Sequence, residues 1–127
     1  MTPLLFVAVA VAGGLGAGVR YVVDRAFARR GSRFPLGLLA INLSGSFLLG
    51  LVTGLVAMTL ESQSWTLVLG TGFLGGYTTF SSASLETVRL LRAGRVGDAL
   101  LFGIGGLIGA IALAAAGLVV GAGFLAV

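Results

Sequence analysis

The chain is 127 residues long, 57% hydrophobic and only 9% charged, with 22 glycines, no cysteine and no histidine, and its mean hydropathy is +1.12. Soluble domains carry about 25% charged residues, so this composition cannot cover a water-facing surface. The absence of Cys and His excludes thiol chemistry, disulfides, zinc sites and imidazole acid–base catalysis, so the chain reads as a membrane protein and not as an enzyme. Its net charge of +4 comes from eight arginines confined to residues 20–33 and 89–95, a placement that marks membrane topology and not a nucleic-acid surface.

Uncharged stretches cover residues 1–19, 34–60, 62–85 and 99–127, each about as long as a bilayer crossing requires. The sequence therefore predicts an all-α membrane protein of four transmembrane helices in a single domain, 1–127. The first span covers residues 3–23. It lacks the basic start and the cleavage site of a secretory signal and reads as a retained span. In its Gly13-Gly14-Leu15-Gly16-Ala17-Gly18 run, Gly14 and Gly18 share one face on which another helix can approach closely. Arg20 stands near the end of this span, where its stem can snorkel. Residues 25–33 connect it to a second span that starts at Phe34-Pro35 and lasts to Leu60.

Residues 61–64 form the shortest connector, with Ser64 as N-cap of a third span that begins at Trp65, an interfacial anchor. Gly70, Gly72, Gly75 and Gly76, followed by Tyr77-Thr78-Thr79-Phe80-Ser81-Ser82-Ala83-Ser84, make a poor continuous helix in lipid. A mid-membrane break is predicted near residues 75–79. Irregular backbone at that depth needs protein or an aqueous cavity against it, so the break belongs at a subunit interface or an ion site. The last span, residues 99–127, has no charged, hydroxyl or amide side chain. At about 1.5 Å per residue it exceeds the hydrocarbon thickness and must tilt, bend or project. Its Gly105/Gly109 and Gly117/Gly121 pairs again suit close packing. Helices this rich in glycine need more packing surface than one four-helix subunit offers, which points to an oligomer.

Polar side chains inside the spans are the informative ones. Asn42, with Ser44 and Ser46 nearby, either ties helices together or contacts an ion, and both readings stay open. The hydroxyl and aromatic cluster 77–84 can satisfy a broken backbone, but such breaks often build ion sites, and Ser81 and Ser84 fall on one helical face. Thr53, Thr59 and Thr66 can bond their own helix. Glu86 and Arg89, three apart, read as an ion pair.

Gly13-Gly14-x-Gly16-Ala17-x-x-Arg20-Tyr21, Asn42-x-x-Gly45-Ser46-Phe47-x-x-Gly50 and Gly75-Gly76-Tyr77-Thr78-Thr79-Phe80-Ser81, in this order along the whole chain, strongly resemble the CrcB (Fluc) family of fluoride channels. The resemblance implies a passive fluoride-selective channel that lowers intracellular fluoride, built as an antiparallel dimer with two pores along the interface. It further implies that Asn42 and Phe80 line the fluoride path and that Ser81, Ser82 and Ser84 continue it as a polar track. The backbone carbonyls of Gly75 and Thr78 would ligate a central, structural sodium ion. Replacing the waters of a small hydrated anion calls for donors without a trapping charge, which hydroxyl and amide groups supply; a phenyl ring edge is also electropositive. One departure stands out: the family usually carries a second phenylalanine three residues after the first, where this chain has Ala83. A four-span small multidrug exporter would need a carboxylate in the first span, and residues 1–23 contain none. A non-conducting partner subunit of a membrane complex is the other alternative.

Four crossings put the first and third connectors on one side, with Arg25, Arg29, Arg30, Arg33, Arg89, Arg92 and Arg95, while the second connector and both termini have no Lys or Arg. The positive-inside rule then places those connectors in the cytoplasm and both termini outside, across the inner (plasma) membrane. An antiparallel dimer needs one subunit of each orientation. The bias therefore points to a paired, different partner beside the homodimer that is the family default.

Overall fold

The computed structural model describes residues 1–57, 59 and 63–124, and every regular element among them is helical. Helix α1 spans Pro3–Ala28, with the Thr2 hydroxyl accepting from the Leu5 N–H at 3.2 Å and Pro3 in the first turn, where its missing donor costs nothing. It runs beyond residue 23 because nothing in Asp-Arg-Ala-Phe-Ala stops it. It ends before Gly31, whose φ of 68° turns the chain. Helix α2 is Leu36–Ala57; the expected end at Leu60, with Glu61 and Ser62 of the connector, lies outside the described residues.

Helix α3 covers residues 63–77 and is α-helical at both ends, with wide i→i+5 turns through Thr66–Leu74. It already includes Gln63, so Ser64 lies inside the first turn and is not its N-cap. Helix α4 is Ser81–Arg92, closed by Gly94 at φ 76°. Helix α5 is Val96–Phe124, with a second wide segment at Leu101–Gly105. Among the described residues, α1, α2 and α5 are each long and apolar enough to cross a membrane. The protein is an all-helical, multi-pass membrane protein.

Two helix pairs make the body of the fold: α1 lies on α3, and α2 lies on the second half of α5. Glycine sets both contacts. A Cβ on Gly76 would strike the Gly13 carbonyl, and one on Gly16 would strike the Phe73 carbonyl and the Tyr77 backbone nitrogen. On the other pair, Gly50 and Gly54 meet the backbone of α5 while Gly117 and Gly121 meet that of α2. Backbones this close gain dispersion energy that larger side chains would forbid, the usual driving force for helix association in lipid. Gly117 and Gly121 thus act as expected. Gly14 and Gly18 have no atom within 4 Å of where a Cβ would stand, so the face of α1 used within the chain is that of Gly13 and Gly16.

Ile41, Leu74 and Tyr77 form one buried cluster under α1. Leu90, Ala99 and Phe102 form another, where the Phe34 ring meets Phe102 edge-on at 6.0 Å between centroids. At this end Arg95 binds Asp98 and donates through Nη1 to the Arg33 carbonyl at 2.8 Å. The two arginine-bearing connectors are therefore held together at one end of the bundle. Outward-facing Leu15, Val22, Ile104, Ile108 and Ile111 are all more than half exposed, a surface suited to lipid.

Candidate functional site

The helical path stops at Tyr77. Thr78 is extended (φ −81°, ψ 160°), and regular turns resume only at Ser81. Gly75 and Gly76, placed within the interruption from the sequence, remain helical because Gly76 is pressed onto α1. The Thr78 N–H still bonds the Leu74 carbonyl and the Phe80 carbonyl accepts from the Ser84 N–H, both at 2.9 Å, while side chains take up the backbone between them. Asn42 acts on Thr79 like a second peptide group: its Nδ2 donates to the Thr79 carbonyl and its Oδ1 accepts from the Thr79 N–H, both at 2.9 Å. The Thr79 hydroxyl accepts from the Ser82 N–H at 3.2 Å, from one residue ahead of the Phe80 cap of α4. Thr79 is only 8% exposed.

These bonds redirect two donors. In a continuous helix the Thr79 N–H would serve the Gly75 carbonyl and the Ser82 N–H the Thr78 carbonyl. Both donors go elsewhere, so the Gly75 oxygen loses that partner and the Thr78 oxygen has Arg20 Nη1 as its donor at 3.4 Å. Carbonyl oxygens are the donors a hard cation takes, so the Gly75 oxygen and the lone pair of the Thr78 oxygen that Arg20 does not use are the groups that would hold one.

Beside the interruption lies an open groove of about 740 Å³ that reaches from α2 across α3 and α4 to α5. Asn42, Gly75, Thr78, Phe80 and Ser84 all line it, and Phe80 is 80% exposed. The other two expected path residues do not: Ser81 is exposed with its Oγ 3.3 Å from the Thr79 hydroxyl, and Ser82 lines a separate cavity of about 360 Å³ near Asp24 and Glu86. No charged side chain lines the larger groove among the described residues. Its polar groups, which include Ser46, Thr71 and Thr87, come from α2, α3 and α4, while the α5 wall is Phe102, Gly103, Gly106, Leu107 and Ala110. Ala83 also faces it.

Several polar residues are occupied locally. Ser44 shares a hydrogen bond with the Tyr77 hydroxyl at 3.0 Å, and Thr53 and Thr59 bond carbonyls of their own segment. Glu86 and Arg89 pair at 3.3 Å, as their spacing indicates. Arg20 departs from expectation. Rather than snorkelling outward it turns inward, and its Nη1 donates to the Thr78 carbonyl at 3.4 Å. Neither this reach nor the capture of Thr79 leaves a signature in the sequence, since both depend on how closely α1 and α2 approach α3.

Residues 7–118 match the family described as CrcB-like protein, Camphor Resistance (CrcB). The chain belongs to the CrcB family. It is 52% identical, over its full length and 92% of the relative, to fluoride-specific ion channel FluC 1 of Leifsonia xyli subsp. xyli. It is 45% identical to fluoride-specific ion channel FluC 2 of Nitrobacter hamburgensis, over 89% of this chain and 93% of that one, and 42% identical to fluoride-specific ion channel FluC of Bordetella avium, over 93% of each. CrcB proteins are a channel family and not enzymes. Membership also sets aside the multidrug-exporter alternative. The matched residues contain the whole groove and the interruption beside it.

Proposed function

We propose that this CrcB chain is a subunit of a passive, fluoride-selective channel that lowers intracellular fluoride. The observation that carries this reading is the uncharged groove at the helix interruption, lined by an amide, hydroxyls and the exposed Phe80 ring, in a chain whose relatives are named fluoride-specific ion channels. Asn42 keeps one Nδ2 hydrogen beyond the one given to Thr79. With the Ser84 hydroxyl and the Phe80 edge, it offers an anion partial positive charge without a cation that would hold it. Ser81 and Ser82, between Phe80 and Ser84 at the start of α4 but outside the groove, would extend the track beside it.

On this reading α3 and α4 together form the third of four crossings, broken within the membrane at residues 78–80. Two chains meet antiparallel over the groove, giving two pores and keeping lipid off the polar wall. The Gly75 and Thr78 carbonyls of each chain would then hold a sodium ion that is structural and does not permeate. The Arg20 contact uses one lone pair of the Thr78 oxygen and leaves the other. The arginine-bearing end lies in the cytoplasm and the termini outside, across the plasma membrane. That bias, in connectors fastened by Arg95 to Arg33, favours a second reading of the dimer: a paired partner of opposite orientation, carrying the ring that Ala83 lacks.

Detergent removes the orientation bias of biosynthesis, so purified protein reconstituted into liposomes tests the channel itself. Fluoride should leave such vesicles passively when a potassium ionophore balances charge, and chloride should not. Fluoride release no faster than from protein-free vesicles, or equal release of chloride, would refute the proposal.

A further inference from the structure

Residues 77–79 lie across α2 and are held on both of its flanks. At about 100° per residue, Asn42 and Ser44 leave that helix on opposite sides, with Ile41 and Gly45 between them. Asn42 takes both backbone groups of Thr79. On the other flank, Ser44 shares a 3.0 Å hydrogen bond with the Tyr77 hydroxyl. Between the two, a Cβ on Gly45 would strike the Thr78 methyl group and crowd the Tyr77 ring, so the glycine lets the segment lie down on α2. Ser44 Oγ also donates to the Ile41 carbonyl at 3.2 Å. Its single proton is then used, which makes Tyr77 the donor in the bond they share. The Tyr77 ring is buried with Ile41 and Leu74 and stacks on Phe73 at 6.4 Å between centroids. A phenyl ring alone would fill this place, whereas a buried phenol requires a partner fixed in position.

From this geometry we infer that Ser44 and Tyr77 are positioning residues for the carbonyl pair of the interruption: their hydrogen bond fixes the joint where α3 gives way to extended chain, and so sets how tightly the Gly75 and Thr78 oxygens hold a cation. Tyr77 occupies the last helical position, between those two residues, and Thr78 is already extended. Held by Asn42 alone, the segment can roll about Thr79, and the Thr78 oxygen then moves relative to that of Gly75. Held on both flanks, it keeps one spacing, and the oxygens meet the ion already ordered. Ordering in advance raises affinity because binding no longer bears that cost. Neither Ser44 nor Tyr77 lines the groove, so loss of their bond weakens cation binding and leaves the wall along which an anion moves in place.

This inference rests on the structural-sodium reading, and one experiment separates the two. The unfolding midpoint of purified protein is measured against sodium concentration, with N-methylglucamine replacing sodium at constant ionic strength. The native chain is compared with Tyr77→Phe, Ser44→Ala and the double variant, and fluoride flux from proteoliposomes is recorded at saturating sodium. Sodium should raise the native midpoint. The sodium concentration that gives half of this rise should increase about fivefold in each single variant, within the range that hydrogen bonds between membrane helices reach, and no further in the double variant. Flux at saturating sodium should stay near native in all of them. Ser44→Ala, on the other helix, decides the matter alone if Tyr77→Phe does not fold. Variants whose sodium-free midpoint falls while their half-saturating sodium stays native would show a bond that serves packing only, which overturns the inference; so do single effects that add in the double variant. A native midpoint indifferent to sodium overturns the sodium reading itself, and the inference with it.

Discussion

Asn42 is the side chain on which the site depends most, and two substitutions there should rank in an order that size alone does not give. In Asn42→Ala, the Thr79 N–H and carbonyl both lose 2.9 Å bonds. Leaving a buried polar group unpaired costs about 1–3 kcal/mol, whereas hydrogen bonds between membrane helices average only about 0.6 and reach about 1.7 kcal/mol. Thr79 is well buried but faces an open groove, so about 2 kcal/mol for the pair is reasonable, equivalent to roughly 30-fold in the population of the ordered interruption. Fluoride flux should fall by about that factor. Asn42→Asp retains Oδ1 for the Thr79 N–H and is nearly isosteric. It also places a carboxylate on the path, and like charges about 4 Å apart repel by about 4 kcal/mol at an effective dielectric of 20, approaching a thousandfold in anion occupancy. The aspartate variant should therefore conduct less than the alanine variant although it is the closer in size to asparagine, and its second oxygen, facing the Thr79 carbonyl in place of Nδ2, makes no bond there. Fluoride efflux from liposomes, beside thermal unfolding of the same preparations, measures both quantities. An aspartate variant that conducts as well as native, or better than alanine, would show that no anion passes this residue.

Phe80→Ala should lower fluoride flux sharply and leave the size-exclusion profile unchanged, because an 80% exposed ring contributes little to packing within the chain. Gly76→Ala drives a methyl group into the Gly13 carbonyl and should cost about 1–3 kcal/mol, read as a lower unfolding midpoint, while Gly14→Ala, with open space around it, should shift the midpoint little. Flux should require sodium although vesicles accumulate none with the fluoride, and full activity in sodium-free potassium or in an organic cation would refute a sodium role for Gly75 and Thr78. In cells expressing the chain alone, a C-terminal tag should lie wholly outside; an even split between the two sides, with normal fluoride export, would refute the paired-partner reading.

The sequence made the membrane-protein character plain because composition is a whole-chain property, and 57% hydrophobic with 9% charged residues leaves no soluble alternative. It also drew attention to residues 75–84, where glycines followed by hydroxyl residues weaken a helix. What it could not locate was where the turns would give way. Gly75 and Gly76 are intrinsically the weakest helix formers there, yet they stay helical because the missing Cβ of Gly76 admits the α1 backbone. Helix propensity was overridden by packing, and the interruption moved to residues 78–80, where Asn42 can replace the lost peptide bonds.

Packing also selects among the glycines and sets the direction of Arg20. Gly14/Gly18 and Gly13/Gly16 are both plausible faces by spacing, and only the partner's position selects one. Here Phe73 and Tyr77 stand against Gly16. Once that face is chosen, Arg20 has no free direction: it follows Gly16 by one turn and must project toward α3, so its charge arrives at Thr78 and not at the interface. A substitution that moved the α1 contact to the Gly14 face would therefore withdraw the arginine from the interruption as well. Packing of two glycine-rich helices and the reach of Arg20 to the Thr78 carbonyl are, in this protein, one structural decision.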